Sequence, residues 1–226
     1  MKIIFRLFCC VILLASGITG SYAQDTAAQA KAAAYTKTIT ERADKIVATL
    51  GIEEQKKYNI VRDLVRDNYR NLNTVYETRD EALKMLKANT TDKTALEAGK
   101  KKIEEKVEKS TGKVHKKFIK SLSRQLDTAQ VTKIKDGLTY NVVHVTYTGY
   151  QAMIPTLTEP EKAQILSWLL EAREKSMDAE SSDKKHAVFG KYKGRINNYL
   201  SAQGYDAQKE RAAWEERIKA EKANKQ

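Results

Sequence analysis

Residues 86–122 read LKANTTDKTALEAGKKKIEEKVEKSTGKVHKKFIKSL, and this stretch decides the fold. Its apolar residues recur at spacings of four and seven: Leu96, Ile103, Val107, Val114, Phe118 and Leu122. Such spacing is typical of a seam between two packed helices. The polar residues Asn89 to Asp92 precede this pattern and suit a turn between helices. We therefore predict an antiparallel hairpin of two long helices that is turned at Asn89 to Asp92.

The partner helix of this hairpin has its own apolar stripe, with charged residues between the members. The stripe consists of Tyr58, Val61, Val65, Leu72, Val75, Leu83 and Leu86. An earlier stripe runs from Ile39 to Leu50. Apolar residues at helical spacing continue through most of the remaining chain. The predicted fold class is therefore an all-α, multi-helix bundle.

Two helix starts are marked by capping boxes, in which the N-cap and the N3 side chain bond each other's backbone amides. These are Asp127 with Gln130 and Thr158 with Glu161, each preceded by a leucine. The later helices are predicted from Glu159 to about Asp178, from about Asp183 to Leu200, and from Asp206 onward.

The segment 138–155, LTYNVVHVTYTGYQAMIP, is the exception, because it is dense in β-branched and aromatic residues. These residues favour strands, but no second candidate strand exists to pair with it, and an isolated strand is not stable. We expect one short extended or irregular stretch from Leu138 to about Val145, followed by a buried helical turn around Tyr147 to Met153.

The N-terminus has the pattern of an export signal. Lys2 and Arg6 precede the apolar run Ile3 to Ala15, and Ser21-Tyr22-Ala23 suits signal-peptidase cleavage after residue 23. We therefore expect a periplasmic or secreted protein. Both cysteines of the chain lie within the predicted signal, which excludes a disulfide framework and a thiol nucleophile in the mature protein.

Residues 24–226 are long enough for a single helical domain with a substantial core, and 24–136 and 137–226 could form two lobes. The whole chain has a net charge of +12. The segment Lys100–Arg124 contributes strongly, with ten basic and three acidic residues. Two interpretations stay open for it: a solvated helix face, or a surface for an anionic partner. Nucleic acid is not expected as a partner, and neither is a transmembrane segment after signal cleavage.

Two long segments carry a family resemblance. DGLTYNVVHVTYTGYQAMIPTLTEPEKAQILSWLLEAREKSMD at 136–178 and KKHAVFGKYKGRINNYLSAQGYD at 184–206 resemble an uncharacterised family of secreted proteins from polysaccharide-degrading Gram-negative bacteria, a family labelled sugar-binding. The resemblance extends to TERADKIVATLGI at 40–52. It implies an exported, mostly helical protein that serves carbohydrate utilisation, and it supplies no catalytic residues.

Sugar binding requires aromatic faces for the C–H side of a pyranose and planar amide groups for its hydroxyls. The late part of the chain concentrates such groups: His186, Phe189, Tyr192, Asn197, Asn198 and Tyr199. A second group precedes it: Tyr140, Asn141, His144 and Tyr147. We predict these ten residues as candidate ligand-binding residues, which could face each other across the core. For both groups the alternative is a structural role, as core aromatic residues with satisfied polar neighbours.

The motifs of enzymes and metal sites are missing from the sequence. The three histidines have no partner at the spacing of a zinc protease, and neither a phosphate-binding loop nor a nucleophile elbow is present. Paired carboxylates for glycoside cleavage stay open, since they need only be close in space. Asp136, Glu171, Glu174, Asp178 and Glu180 are available for this, and the sequence does not select among them. No cofactor and no metal are expected.

The predicted function is an exported, non-catalytic carbohydrate-binding protein associated with polysaccharide utilisation. A looser similarity supports an alternative, a periplasmic helical chaperone or envelope interaction protein. Small periplasmic stress chaperones open their helices with Leu-Thr-x-x-Gln, which LDTAQ at 126–130 and LTEPE at 157–161 approximate.

Overall fold

In the computed structural model, the backbone is described for residues 19–224 and the side chains for residues 28–224. This part of the chain contains helices and no strand, which confirms the all-α fold class. The helices are α1 Thr19–Val47, α2 Gln55–Asn89, α3 Lys93–Leu122, α4 Thr128–Leu138, α5 Val142–Met153, α6 Glu159–Ser176, α7 Ser182–Ala202 and α8 Ala207–Ala223.

The predicted hairpin is present and forms the longest element of the fold. α2 ends at Asn89, and Asp92 caps α3 by accepting a hydrogen bond from the Ala95 amide at 2.7 Å. Near the turn, a Cβ on Gly99 would be 2.6 Å from the Leu86 side chain. Glycine therefore permits the close approach of α2 and α3 near the turn.

The apolar stripes of α1 to α4 meet in a first core. Its fully buried members include Ala43, Val47, Val61, Val65 and Leu122. Both capping boxes form, at Asp127 and Gln130 for α4 and at Thr158 and Glu161 for α6.

The extended stretch predicted from Leu138 to about Val145 is wrong, because this segment folds as a turn and α5. Without a second strand, helical hydrogen bonding is what satisfies its backbone. Only Thr139, Tyr140 and Asn141 in this segment are non-helical, and they form the turn between α4 and α5. Tyr140 and Asn141 both have a left-handed backbone with φ of 57°, a conformation that is costly for a tyrosine.

A second core is formed by α5, α6 and α7, with Ile165, Leu169, Phe189 and Ile196 buried in it. α6 connects the two cores, because Met177 at its C-cap is fully buried in the first one. This contact places the C-terminal end of α6 against the hairpin. The lobes 24–136 and 137–226 remain a prediction.

Residues 1–18, which hold most of the predicted signal peptide, lie outside the described residues. Among the helices of the described part, none combines the length and the apolar character needed to cross a membrane.

Candidate functional site

The ten predicted site residues do not share one place in the structure. Tyr192 and Tyr199 are half-buried on the side of α7 that faces α6. The Tyr199 ring meets the Trp168 ring edge to face, with 5.2 Å between centroids. Lys175 Nζ lies 5.5 Å from the Tyr192 ring centroid. These two tyrosines thus combine a packing role with partly exposed rings.

The neighbouring asparagines differ from each other. Asn197 accepts a hydrogen bond at 2.7 Å from the hydroxyl of Tyr150, which links α7 to α5. Asn198 is exposed. Phe189 is only 1% exposed and belongs to the second core. Of these three residues, only Asn198 has a side chain that is open to a ligand and free of a described structural contact.

The second predicted group partly joins the first, through one contact between α7 and the turn before α5. Tyr140 and His186 stack with 5.5 Å between ring centroids and 14° between planes. Asn141 and His144 are exposed beside this turn, whereas Tyr147 packs against the second core. The structure therefore brings Tyr140 and His186 together on the surface, but it does not bring all ten residues into one recess.

Next to this stack lies a buried lysine. Lys185 Nζ donates to the carbonyl of Leu138, the last residue of α4, at 2.8 Å, and it lies 5.7 Å from the Tyr69 ring centroid. Burial lowers the pKa of Lys185 to about 8. The lysine holds the end of α4 in place beneath the left-handed turn.

An open groove of about 420 Å³ lies between α2, α3 and the C-terminal end of α6. We call it the hairpin cleft, and none of the ten predicted residues lines it. Its lining residues are Tyr76, Glu108, Thr111, Gly112, His115, Glu174, Lys175, Asp178 and Ala179. A Cβ added to Gly112 would meet nothing within 4 Å, so this part of the wall is open.

His115 is the central polar group of the hairpin cleft. Its Nδ1 lies 2.7 Å from Asp178 Oδ2, and its Nε2 lies 3.8 Å from Glu174 Oε2. The hydrogen bond to Asp178 raises the pKa of His115 above its ordinary value, since it favours the protonated ring. Asp178 Oδ1 is buried and has no hydrogen-bond partner among the described residues.

Other charges fix the carboxylates around this histidine. Glu174 accepts from Lys135 at 2.8 Å and from Arg173 at 3.3 Å. Arg173, only 7% exposed, also donates to Asp136 at 2.8 Å. This network holds the end of α6 against α4, and it fixes the position of Glu174 opposite His115.

Tyr76 forms the α2 side of the hairpin cleft. Its hydroxyl donates to the backbone carbonyl of Asp178 at 2.8 Å, and burial raises its pKa to about 12. The Arg79 guanidinium lies 4.9 Å from the Tyr76 ring centroid and pairs with Glu180. The loop after α6 is thereby tied to α2.

Lys175 connects the hairpin cleft with the aromatic side of α7. It lines the cleft, lies over the Tyr192 ring and pairs with Glu171 at 2.7 Å. Arg195 extends the surface, with its guanidinium 4.4 Å from the Trp168 ring centroid. Rings and charges thus follow one another from the cleft along α6 and α7.

Glu174 and Asp178 are two of the five carboxylates that were available for glycoside cleavage, and the sequence did not select among them. A usable signal was their spacing of four, which places both on one face of a helix. The partner His115 lies 63 residues earlier than Asp178, and only the packing of α6 on the hairpin reveals the pair. Among the described residues, no group of three or more His, Cys, Asp or Glu side chains could hold a metal ion.

Fold and site define an all-α protein whose two cores are joined by α6, with a polar cleft at the junction. The chain belongs to the family DUF3826, described as protein of unknown function, whose model matches residues 36–220. No curated protein matches the chain.

Proposed function

We propose that this is an exported, non-catalytic carbohydrate-binding protein associated with polysaccharide utilisation, and that the hairpin cleft with the adjoining face of α6 and α7 is its binding surface. One observation carries the proposal. Lys175 lines the cleft and also covers the ring of Tyr192, so a polar recess and an aromatic surface are contiguous.

The groups of this surface match the chemistry of a sugar. Glu108 and Glu174 offer carboxylate oxygens that accept from hydroxyls, and His115 and Lys175 offer N–H donors. If a ligand displaces Lys175 from the Tyr192 ring, that ring offers an apolar face for pyranose C–H groups. A volume of about 420 Å³ lies within the range of small-molecule sites.

The test is the affinity of the purified protein for oligosaccharides selected on a glycan array, measured by calorimetry. We expect His115→Gln and Tyr192→Ala each to weaken binding about tenfold, the effect of losing roughly 1.4 kcal/mol of contact energy. The matched control is His144→Gln, the same substitution at an exposed histidine on α5. It should leave the affinity unchanged.

Two results would contradict this assignment of the surface. If His144→Gln or His186→Gln abolishes binding while His115→Gln does not, the surface at Tyr140 and His186 is the binding site. If no glycan binds at all, the proposed function is wrong.

A glycan-processing enzyme is a second candidate. It is favoured by the hydrogen bond between His115 and Asp178 in the hairpin cleft. A carboxylate that orients a histidine is a common arrangement for general acid–base catalysis. The test is release of new reducing ends from polysaccharides. Product formation that is lost in His115→Gln and kept in His144→Gln would replace the non-catalytic proposal.

The alternative of a periplasmic chaperone has less support. A chaperone of hairpin form needs exposed apolar area, and the large apolar side chains exposed on the hairpin are Ile60 and Met85, both on α2. The apolar stripes of α2 and α3 instead supply Val61, Val65, Phe118 and Leu122 to the first core. Suppression of a client's aggregation at equal molar ratio would revive this alternative.

A further inference from the structure

Six lysines form a single line along α3. They are Lys102, Lys106, Lys109, Lys113, Lys116 and Lys120. We call this set the lysine stripe. Steps of four and three residues alternate along it, which keeps all six within about 40° of one line on the helix surface. With a rise of about 1.5 Å per residue, the stripe is roughly 27 Å long.

The stripe is open to solvent, and all of its members are lysines. All six lysines are exposed, and none of them forms a salt bridge with any residue in the described part of the chain. By contrast, the nearby Lys100 pairs with Glu97 at 2.6 Å. Phe118 and Leu122 lie on the opposite side of α3 and are buried in the first core, to which α2 also contributes. Because like charges three and four residues apart destabilise a helix, an unpaired line of this length is costly to keep.

The shape of the stripe favours a linear partner. It is one side chain wide. The large apolar side chains that are exposed in the described part of the chain lie on other elements: Ile60, Met85, Tyr140 and Val145. A helix that binds a membrane surface combines its cations with an apolar face that enters the lipid. The apolar face of α3 is already covered by α2.

We propose that the lysine stripe binds a linear anionic polysaccharide, with its acidic groups along α3. This inference rests on the proposed function and names the class of glycan that the protein takes. The stripe also borders the hairpin cleft, because Gly112 lines the cleft and has Lys109 and Lys116, three and four residues away, as neighbours on the helix surface. A chain bound along the stripe passes the edge of the cleft.

The experiment measures binding of polygalacturonate, a linear polymer with one carboxylate per sugar, against its methyl ester, which has the same backbone without the charge. The variant is Lys109→Gln/Lys113→Gln/Lys116→Gln. The matched control removes three exposed lysines from other helices, Lys31→Gln/Lys84→Gln/Lys222→Gln. Both variants change the net charge by the same amount.

We expect the stripe variant to bind polygalacturonate roughly tenfold more weakly, since each exposed ion pair contributes little on its own. The control variant should bind like wild type, and the methyl ester should bind with no dependence on the stripe. Added salt should weaken polygalacturonate binding by wild type more than by the stripe variant, because exposed charges are screened.

Equal losses in the stripe and control variants would overturn the proposal, since net charge alone would then explain binding. So would tight binding to vesicles containing anionic phosphatidylglycerol by a protein that does not bind polygalacturonate. The proposed function fails separately. If His115→Gln and Tyr192→Ala leave every glycan affinity unchanged while the stripe variant loses polygalacturonate, the stripe acts without the hairpin cleft.

Discussion

The two helices of the hairpin carry their charges in opposite ways. On α2, Arg62, Arg66 and Arg70 alternate with Asp63 and Asp67, and the ion pairs between them are 2.8 to 3.0 Å long. On α3, the six members of the lysine stripe have no such partners in the described part of the chain. A surface that neutralises its own charges needs no ligand for them. The comparison therefore separates a face that is complete by itself from one that is left open.

A third kind of cation, the buried one, extends the comparison. Arg173 and Lys185 are 7% and 6% exposed. Arg173 is paired with Asp136 and Glu174, whereas Lys185 donates only to a backbone carbonyl. Both buried cations are thus structural parts of the fold. Because Lys185 donates to a backbone carbonyl and not to a carboxylate, its burial lowers its pKa and makes the stability of the fold depend on pH.

The largest effect is expected at the buried pair. Replacing Arg173 with methionine leaves Asp136 without its cation, whereas Glu174 keeps Lys135. Loss of one partner of a buried pair typically costs about 3 kcal/mol. The free energy of unfolding from urea denaturation should fall by about this amount. The control Lys175→Met, at an exposed position of the same helix, should change it far less. Equal effects of the two variants would show that burial of Arg173 does not matter.

The next effect is a pH dependence caused by Lys185. Its pKa is about 8 in the folded protein and 10.5 ordinarily. At pH values between the two, Lys185 is mostly protonated in the unfolded chain and mostly neutral in the folded protein. The free energy of unfolding therefore rises with pH. The contribution from pH 8 to pH 10 is about 2 kcal/mol.

Urea denaturation across this range should show the rise in wild type and in Lys184→Met, but not in Lys185→Met. Lys184 is the exposed neighbour of Lys185 and controls for the general effect of removing a lysine. The same pH dependence in wild type and Lys185→Met would contradict the assignment.

On α2, Arg66 is the central cation of the paired face, bound to Asp63 and Asp67 at 2.9 Å each. We expect Arg66→Gln to lower the free energy of unfolding by about 1 kcal/mol, the upper end for a partly exposed pair within a network. High salt should reduce the difference. A variant as stable as wild type at low salt would mean that the α2 pairs contribute nothing.

On α3 the sign should reverse. Lys113→Glu places an acid between Lys109, Lys116 and Lys117, which replaces repulsion by attraction at helical spacing. We expect the free energy of unfolding to increase by about 0.5 kcal/mol at low ionic strength. Thermal denaturation at low and high salt measures this difference. A loss of stability at low salt would show that repulsion among the lysines of the stripe does not destabilise α3.

Much of the fold followed from local signals in the sequence. The hairpin turn and both capping boxes depend on residues within a few positions of each other, and such signals are readable without tertiary information. The segment 138–155 misled because β-branched composition reflects a propensity, and helical packing against the second core overrides it.

The site was less accessible to prediction for a physical reason. Aromatic and amide residues on α7 mark the rim of a core as readily as a ligand surface, and Phe189 and Asn197 turned out to have structural contacts. The hairpin cleft depends on Met177 anchoring the end of α6 in the first core. Contacts between residues 63 or 102 positions apart, as from Asp178 to His115 and Tyr76, are not encoded in any local pattern.

The three histidines allow a direct test of whether the hairpin cleft binds the glycan, because each lies in a different place. His115 is in the hairpin cleft, His186 stacks on Tyr140, and His144 is exposed on α5. The measurement is the NMR signal of each imidazole ring during titration with a glycan that the array identifies. We expect the His115 signal to shift with saturation while the other two stay in place. Shifts of His186 or His144 with an unchanged His115 would contradict it.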